Sequence, residues 1–140
     1  MRSALGLAAL LLALGCGGDP PTELIHIHLS STQTLDPAQV AWVEIAVVHA
    51  FDGRCVMGSG SNICSDLQSA AVAEQADGYV TKATITSTDG SSATIDNLPR
   101  GRACFVAEAL SQSDQQLALG CAEVELSLER HLIEIELSAL

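Results

Sequence analysis

Apolar and polar residues alternate with a period of two along several stretches of the chain. In residues 23–30, isoleucine and leucine alternate with His26 and His28, which predicts a strand buried on one face. Residues 132–137 repeat the pattern and predict a last strand of the same kind. The side chains expected to face the core there are Ile133, Ile135 and Leu137, and those expected to face outward are Leu132, Glu134 and Glu136.

A second kind of stretch is apolar on both faces. Residues 40–51 are rich in valine, isoleucine and alanine, and only Glu44 interrupts the run. They therefore predict a central strand that is covered on both sides. The dipeptide at 52–53 is Asp-Gly, which favours a type I′ turn. Such a turn would return residues 54–57 alongside the end of this strand.

One helix candidate interrupts the β pattern. Residues 66–76 follow Ser65, a suitable N-cap, and precede an Asp-Gly stop at 77–78. The apolar stripe is weak, so an irregular loop is the alternative. Strand patterns then resume. They occupy residues 79–87, 92–96, 103–110 and 116–126, separated by turn signals at 89–90, 97–101 and 111–114, with a hairpin expected at the Asp-Gly pair 89–90.

The number of these segments predicts an all-β fold. About seven to eight short strands separated by turns are typical of an antiparallel β-sandwich. We expect such a seven- to eight-stranded sandwich, with one short helix at most in residues 65–76. Trp42, the only tryptophan, is expected in its core rather than as a platform for a ligand.

A short motif connects this sandwich with a known family. Residues 94–106 run from a strand into a Leu-Pro-x-Gly turn at 98–101 and then into an alternating strand, with Cys104 and Phe105 at its start. The arrangement resembles the turn of prealbumin-like and carboxypeptidase-regulatory-like domains. The resemblance implies a seven-stranded, immunoglobulin-like sandwich that serves as a spacer, adhesive or accessory module, and it implies no catalytic activity.

The N-terminus has the features of an export signal. Arg2 precedes an uninterrupted apolar run over residues 4–14, which has the length of a signal-peptide core and is too short to span a membrane. Residues 13–16 (Ala-Leu-Gly-Cys) resemble the lipobox of bacterial lipoproteins. The resemblance implies that Cys16 is acylated and that the chain is cut before it. The expected organisation is a signal peptide at 1–15, a lipidated tether at 16–22 and one β-sandwich domain at 23–140.

The lipobox also implies a place in the cell envelope. Each buried methylene of an acyl chain contributes about 0.8 kcal/mol, so two or three chains hold a protein on its membrane almost irreversibly. Gly17 rather than aspartate follows Cys16, which in the sorting rule of many Gram-negative lipoproteins favours the outer membrane. Its periplasmic and outward faces both stay open. The alternative, an ordinary secretory signal, leaves Cys16 as an unpaired thiol.

With Cys16 assigned to lipid, four cysteines remain: Cys55, Cys64, Cys104 and Cys121. In an oxidising compartment an even set predicts two disulfides, with three possible connectivities. Their spacing matches no zinc motif. If the turn at 111–114 sets residue 110 opposite residue 115, Cys104 lies directly across from Cys121. We therefore expect the pairs Cys104–Cys121 and Cys55–Cys64.

Charge and motifs exclude several function classes. The formal net charge of −11 repels phosphate backbones, so nucleic acid is not an expected partner. The sequence has no H-E-x-x-H and no G-x-S-x-G motif, and the order of its Ser, His and Asp residues marks no triad. We expect a protein that is not an enzyme and that needs no cofactor.

His26 and His28 are the candidate metal ligands, because residues i and i+2 of a strand point to one side. The sequence places no third ligand beside them, and two solvated histidines are the alternative. Asp89 and the glutamate pairs 123/125 and 134/136 offer oxygen donors for calcium. Their alternation with apolar residues favours a charged outer face instead.

These features together predict a membrane-anchored envelope lipoprotein with a non-catalytic structural or interaction module. Its expected partners are the membrane, through the lipid anchor, and other envelope proteins or surface glycans. The alternative is a lipoprotein that binds a small ligand or a divalent metal with His26 and His28.

Overall fold

The computed structural model describes residues 22–29, 36–50, 54–55, 62–65, 69–86, 91–129 and 131–140. This part of the chain folds almost entirely as β-structure, as the sequence predicts, and no helix in it is long and apolar enough to cross a membrane. The strands are β1 (Thr22–Leu29), β2 (Trp42–His49), β3 (Tyr79–Thr86), β4 (Ser92–Asp96), β5 (Gly101–Leu110), β6 (Gln116–Leu126) and β7 (Leu132–Ala139). A 3₁₀ turn, Pro37–Gln39, precedes β2, and a one-turn helix, α1 (Ala70–Ala73), precedes β3.

The seven described strands are hydrogen-bonded in the order β3-β2-β5-β6-β7-β1-β4. All neighbours are antiparallel except β1 and β7, which pair in parallel from Leu24 opposite Leu132 to Leu29 opposite Leu137. The prediction of a wholly antiparallel sheet is therefore wrong at this pair. The first and last strands are not joined by a turn, so no tight hairpin forces them to run in opposite directions.

One apolar core draws side chains from all seven strands, with Phe105 as its largest fully buried member. The faces predicted for β7 are confirmed. Its three inward residues are at most 2% exposed, and its three outward residues are exposed. A period of two on one strand fixes these faces locally, since successive side chains point to opposite sides. Trp42 departs from expectation, because it is half-buried and lies outside both apolar clusters of the described residues.

Strand β2 is buried on both faces, as its sequence predicts. Val43, Ile45 and Val47 enter the main core, whereas Ala46 and Val48 belong to a second cluster on the other side of the sheet. That second cluster is covered by the segment between β2 and β3, which we call the covering segment. Its contributions come from Cys55, Ile63, Ala70, Ala73 and Ala76.

Neither of the two predicted hairpins has a ladder among the described residues. Val48 pairs with Tyr79 of β3 on one side and with Cys104 of β5 on the other, so no edge is left for residues 54–57. Strands β3 and β4 have no ladder between them in the described chain, since β3 pairs with β2 and β4 pairs with β1. Both Asp-Gly pairs, 52–53 and 89–90, lie outside the described residues.

The predicted helix is shortened to one turn. Ser69, not Ser65, is its N-cap, and the Ser69 hydroxyl accepts from Val72 N at 3.1 Å. Ser65 is instead held in a turn by the side chain of Asn62, which accepts from its backbone N–H at 3.1 Å. The weak apolar stripe explains the short helix, because only one turn meets the sheet.

The disulfide pairs differ from the expected ones. Cys55 is bonded to Cys104 and Cys64 to Cys121, with Cα–Cα distances of 6.0 and 5.5 Å. In the β5–β6 register Cys104 lies opposite Glu123, and Cys121 lies opposite Val106.

The cause is the turn between the two strands. Ser111 N donates to Gln115 O, and the register shifts between Ala109 and Leu110. Compared with the expected pairing, β6 is displaced by two residues over most of its length. A shift of two keeps each side chain on its face. Both cysteines therefore still point to the outer side of the sheet, but each bonds to the covering segment instead of to the other.

Candidate functional site

Glu23 is the most unusual polar residue of the described chain, because its side chain is fully buried (0% exposed) at the start of β1. One carboxylate oxygen accepts from Arg100 Nη1 at 2.8 Å. The other accepts from His131 N at 2.8 Å and contacts His131 Nδ1 at 3.1 Å. Glu23 thus joins β1 to the β4–β5 turn and to the β6–β7 turn.

The environment of Glu23 changes its acidity. Burial by itself would raise the pKa of Glu23, since a low dielectric disfavours the charge. The Arg100 guanidinium and the two His131 hydrogen bonds outweigh burial, and the pKa of Glu23 lies below its ordinary value of 4.5. The carboxylate is therefore held in its charged form at neutral pH.

Ser127 completes a group that we call the Glu23 cluster: Glu23, Arg100, Ser127 and His131. The Ser127 hydroxyl lies 3.3 Å from His131 Nε2, and the Ser127 carbonyl accepts from Arg100 Nη1. The order carboxylate, imidazole, hydroxyl is that of a serine-hydrolase triad. Here, however, the same atoms also form hydrogen bonds within the turn between β6 and β7. Glu129 N donates to Ser127 Oγ, and Ser127 N donates to His131 Nε2. These hydrogen bonds give the arrangement a structural role in the β6–β7 turn.

The two predicted histidines lie in β1, at positions 26 and 28. His26 is half-buried, and its Nε2 lies 3.1 Å from Ser91 Oγ. The parallel register sets His26 beside Glu134 and His28 beside Glu136. The side chain of His28 lies outside the described residues. The other two histidines of the chain lie elsewhere, since His49 Nδ1 contacts Arg102 O at 3.0 Å and His131 belongs to the Glu23 cluster.

Most other candidate ligands in the described chain already have protein partners. Glu123 and Glu125 approach Arg102 at 3.4 and 3.8 Å, which gives these glutamates a role on the charged outer face. The described residues contain one metal-like grouping of donors, Cys55, Cys104 and Glu123. Its two sulfurs are bonded to each other, so no thiolate is available for a metal. Asp89 lies outside the described residues.

Charged residues fasten α1 to the sheet. Glu108 is buried and accepts from Ala70 N at 3.1 Å and from Gln116 Nε2 at 2.6 Å. At the other end, Lys82 contacts Glu74 at 2.9 Å and Glu44 at 3.7 Å. The first of these contacts is the main cause of the raised pKa of Lys82. Glu44, which interrupts the apolar run of β2, is thus part of the attachment of the covering segment.

A shallow depression of about 450 Å³ lies at the end of the domain opposite the Glu23 cluster. It is formed where the segment before β2 meets the β5–β6 turn, and five of its seven lining residues carry amide or hydroxyl groups, for which we call it the polar depression. Its lining residues are Ala38, Gln39, Ser111, Gln112, Ser113, Gln115 and Leu117.

Sequence reasoning missed the Glu23 cluster, although part of the signal was present. Glu23 has the same parity as Ile25 on β1, and a carboxylate on the apolar face of a strand requires a buried partner. The sequence does not identify that partner, because Arg100 and His131 are 77 and 108 residues away.

Comparisons with known proteins give no match: no family model, no curated protein and no solved structure is similar to this chain.

Proposed function

We propose that the protein is a lipid-anchored lipoprotein of the bacterial cell envelope, most simply of the outer membrane. Its β domain would serve as a non-catalytic structural or interaction module for envelope proteins or surface glycans. The observation that carries the proposal is the pair of disulfides, Cys55–Cys104 and Cys64–Cys121. Structural disulfides belong to oxidising compartments, and the chain that forms them begins with a lipobox-like sequence ending at Cys16.

The domain belongs, in this proposal, to the prealbumin-like sandwiches. The ladder between β6 and β7 is short, with two residue pairs, which supports treating the seven-stranded sheet as two layers, β4-β1-β7 and β3-β2-β5-β6. Both halves contribute to the main core, which is how two layers of a sandwich pack. Gly120 supports a close crossing at the join, since a Cβ there would meet the backbone oxygen of Glu136 and the side chain of Ile135.

The polar depression is the proposed interaction surface. It lies at the end of the domain opposite the first residue of β1. The chain from Cys16 leads into that first residue of β1. Glutamine and serine side chains offer both donors and acceptors, which suits the hydroxyl groups of a glycan or the backbone of a protein loop. A glycan array tests this with Gln112→Ala/Gln115→Ala and, as a control on the charged outer face, Glu125→Gln. Signals lost only in the first variant support the assignment.

Acyl labelling tests the anchor. In a Gram-negative host fed a radioactive fatty acid, the native protein should be labelled, whereas Cys16→Ser should be unlabelled and should accumulate as precursor. Gly17→Asp is the matched control, because it should be labelled normally and be retained in the inner membrane. Normal labelling of Cys16→Ser would contradict the proposal.

A second candidate function is divalent-metal binding at the β1–β7 face. The observation that favours it is the register, which sets His26 beside Glu134 and His28 beside Glu136; imidazole and carboxylate together suit zinc. Micromolar Zn²⁺ should then raise the melting temperature, EDTA should reverse the shift, and His26→Ala/His28→Ala should abolish it. Glu129→Gln is the control on the β6–β7 turn. Superimposable melts with Zn²⁺ and EDTA would remove this candidate.

A further inference from the structure

Three exposed leucines lie at the end of the domain where β1 begins. Leu24, Leu128 and Leu132 are 43, 86 and 60% exposed. Leu24 and Leu132 are direct neighbours in the parallel β1–β7 register, and Leu128 lies in the turn that leads into β7. We call these three residues the leucine patch.

The patch is held in place by the Glu23 cluster. Leu24 N donates to His131 O at 3.1 Å, and His131 N donates to Glu23 at 2.8 Å. Arg100 binds both Glu23 and the Ser127 carbonyl. The buried carboxylate therefore fixes the first residues of β1 and the turn that carries Leu128, so the backbone that carries the three leucines is held in place at this end of the domain.

The chain that leads to the lipid enters at the same end. Six residues, 17–22, separate Cys16 from Glu23, and six residues span at most about 20 Å when fully extended. Leu24 lies eight residues after Cys16, so an acylated Cys16 would keep it within about 28 Å of the bilayer. Leu140, also an exposed leucine at 74%, follows β7 at the opposite end.

We propose that the leucine patch docks into the boundary between headgroups and acyl chains of the bilayer that holds the Cys16 acyl groups. This inference rests on the proposed lipid anchor and adds an orientation to it. Exposed apolar clusters mark interaction surfaces, and an anchored chain meets the bilayer at high effective concentration, so a small patch is enough. The polar depression then faces away from the membrane.

The docking is apolar rather than electrostatic. Near the patch, Asp96 and Glu129 are acidic and exposed. Of the two cations, Arg100 is engaged by Glu23, and Arg130 lies between Leu128 and Leu132 in the sequence. A chain with a net charge of −11 gains nothing from anionic lipid. Docking should therefore occur on phosphatidylcholine and should resist salt.

Photocrosslinking tests the orientation. The acylated full-length protein is placed in phosphatidylcholine vesicles that contain a lipid with a diazirine in its acyl chain, and crosslinked peptides are mapped by mass spectrometry. We expect crosslinks at Leu24 and in residues 127–132 about tenfold above those in residues 111–117, with no loss at high salt.

Leu128→Ser/Leu132→Ser should lose these crosslinks by about the same factor, and Leu140→Ser is the matched control that should keep them. A melting curve on each variant confirms folding. Crosslinks confined to residues 16–22, or unchanged in the double variant, would overturn docking. A detergent-solubilised dimer that dissociates in the double variant would overturn docking in favour of a second copy at the patch. Failure of acyl labelling at Cys16 is a separate result, which would overturn the anchor itself.

Discussion

At the residue scale, Glu23 is the polar side chain of the described residues on which the fold depends most. A fully buried carboxylate is tolerated only when it is paired and hydrogen-bonded. Arg100 and the His131 amide and imidazole provide that pairing, from two turns that are far apart in the sequence. Its role is to lock three chain segments together at one end of the domain.

Glu23→Gln should lower the free energy of unfolding by about 3 kcal/mol, since removal of one partner leaves the Arg100 charge partly buried and uncompensated. Urea denaturation of the folded domain measures the loss. Glu125→Gln, on the exposed outer face, should change it by less than about 0.5 kcal/mol. Equal effects of the two substitutions would contradict the assigned role.

The Glu23 carboxylate also makes the stability of the folded domain depend on pH. Because the pKa of Glu23 is lower in the folded chain than its ordinary value of 4.5, the unfolded chain takes up the proton first. The stabilisation is complete above that ordinary value and is lost as pH falls through the lower folded pKa. The stability difference between native protein and Glu23→Gln should therefore shrink below about pH 4.5. A stability difference that stays constant down to acid pH would contradict a lowered pKa of Glu23 in the folded chain.

Ser127 is predicted to be a structural hydroxyl. A fluorophosphonate probe should leave Ser127 unlabelled, and Ser127→Ala should cost about 1 kcal/mol of stability through the lost turn hydrogen bonds. Mass spectrometry of the probe-treated protein measures the labelling of Ser127. Thermal melts measure the stability of the Ser127→Ala variant. Labelling of Ser127 that disappears in His131→Asn would show an activated nucleophile and contradict this prediction.

At the element scale, the segment between β2 and β3 is the part of the fold that covers the outer face of β2 and β5. Both disulfides attach it, one to β5 and one to β6. Glu108 and Lys82 hold the two ends of α1 against the same face. The apolar outer face of β2 is buried because this segment lies over it.

Peptide mapping under non-reducing conditions should recover Cys55 linked to Cys104 and Cys64 linked to Cys121. The sequence separations of 49 and 57 residues correspond to about 4 kcal/mol for each bridge in the chain-entropy model. Cys55→Ala/Cys104→Ala should therefore destabilise the domain strongly. Recovery of a Cys104–Cys121 peptide would instead support the register expected from the sequence.

At the scale of the whole molecule, the domain has two chemically different ends. The leucine patch and the Glu23 cluster lie where the tether enters, and the polar depression lies at the other end. Trp42 begins β2 at the depression end, and a strand of eight residues spans about 26 Å. The proposed orientation thus keeps this tryptophan away from the bilayer.

The fluorescence of Trp42, the only tryptophan in the chain, reports this orientation. In vesicles with brominated acyl chains, emission from the anchored native protein should be quenched by less than about a tenth, since the strand length separates Trp42 from the membrane. Leu132→Trp in a Trp42→Phe background is the matched positive control. Strong quenching of Trp42 would place the depression end against the membrane.

The sequence by itself determined what depends on parity along one strand. The inward residues of β7, the two buried faces of β2 and the all-β class all follow from side-chain alternation, and the structure confirms them. Alternation is a local property, so it can be read without knowing which strand lies next to which.

Only the tertiary structure decided the pairings. Register, the parallel β1–β7 contact, the disulfide partners and the Glu23 cluster all join residues that are distant in the chain. The β5–β6 turn shows why. A shift of two residues leaves every buried face unchanged, yet it moves Cys121 from Cys104 to Val106. The alternation that decides which residues are buried is the same in both registers, whereas the disulfide partners depend on the register.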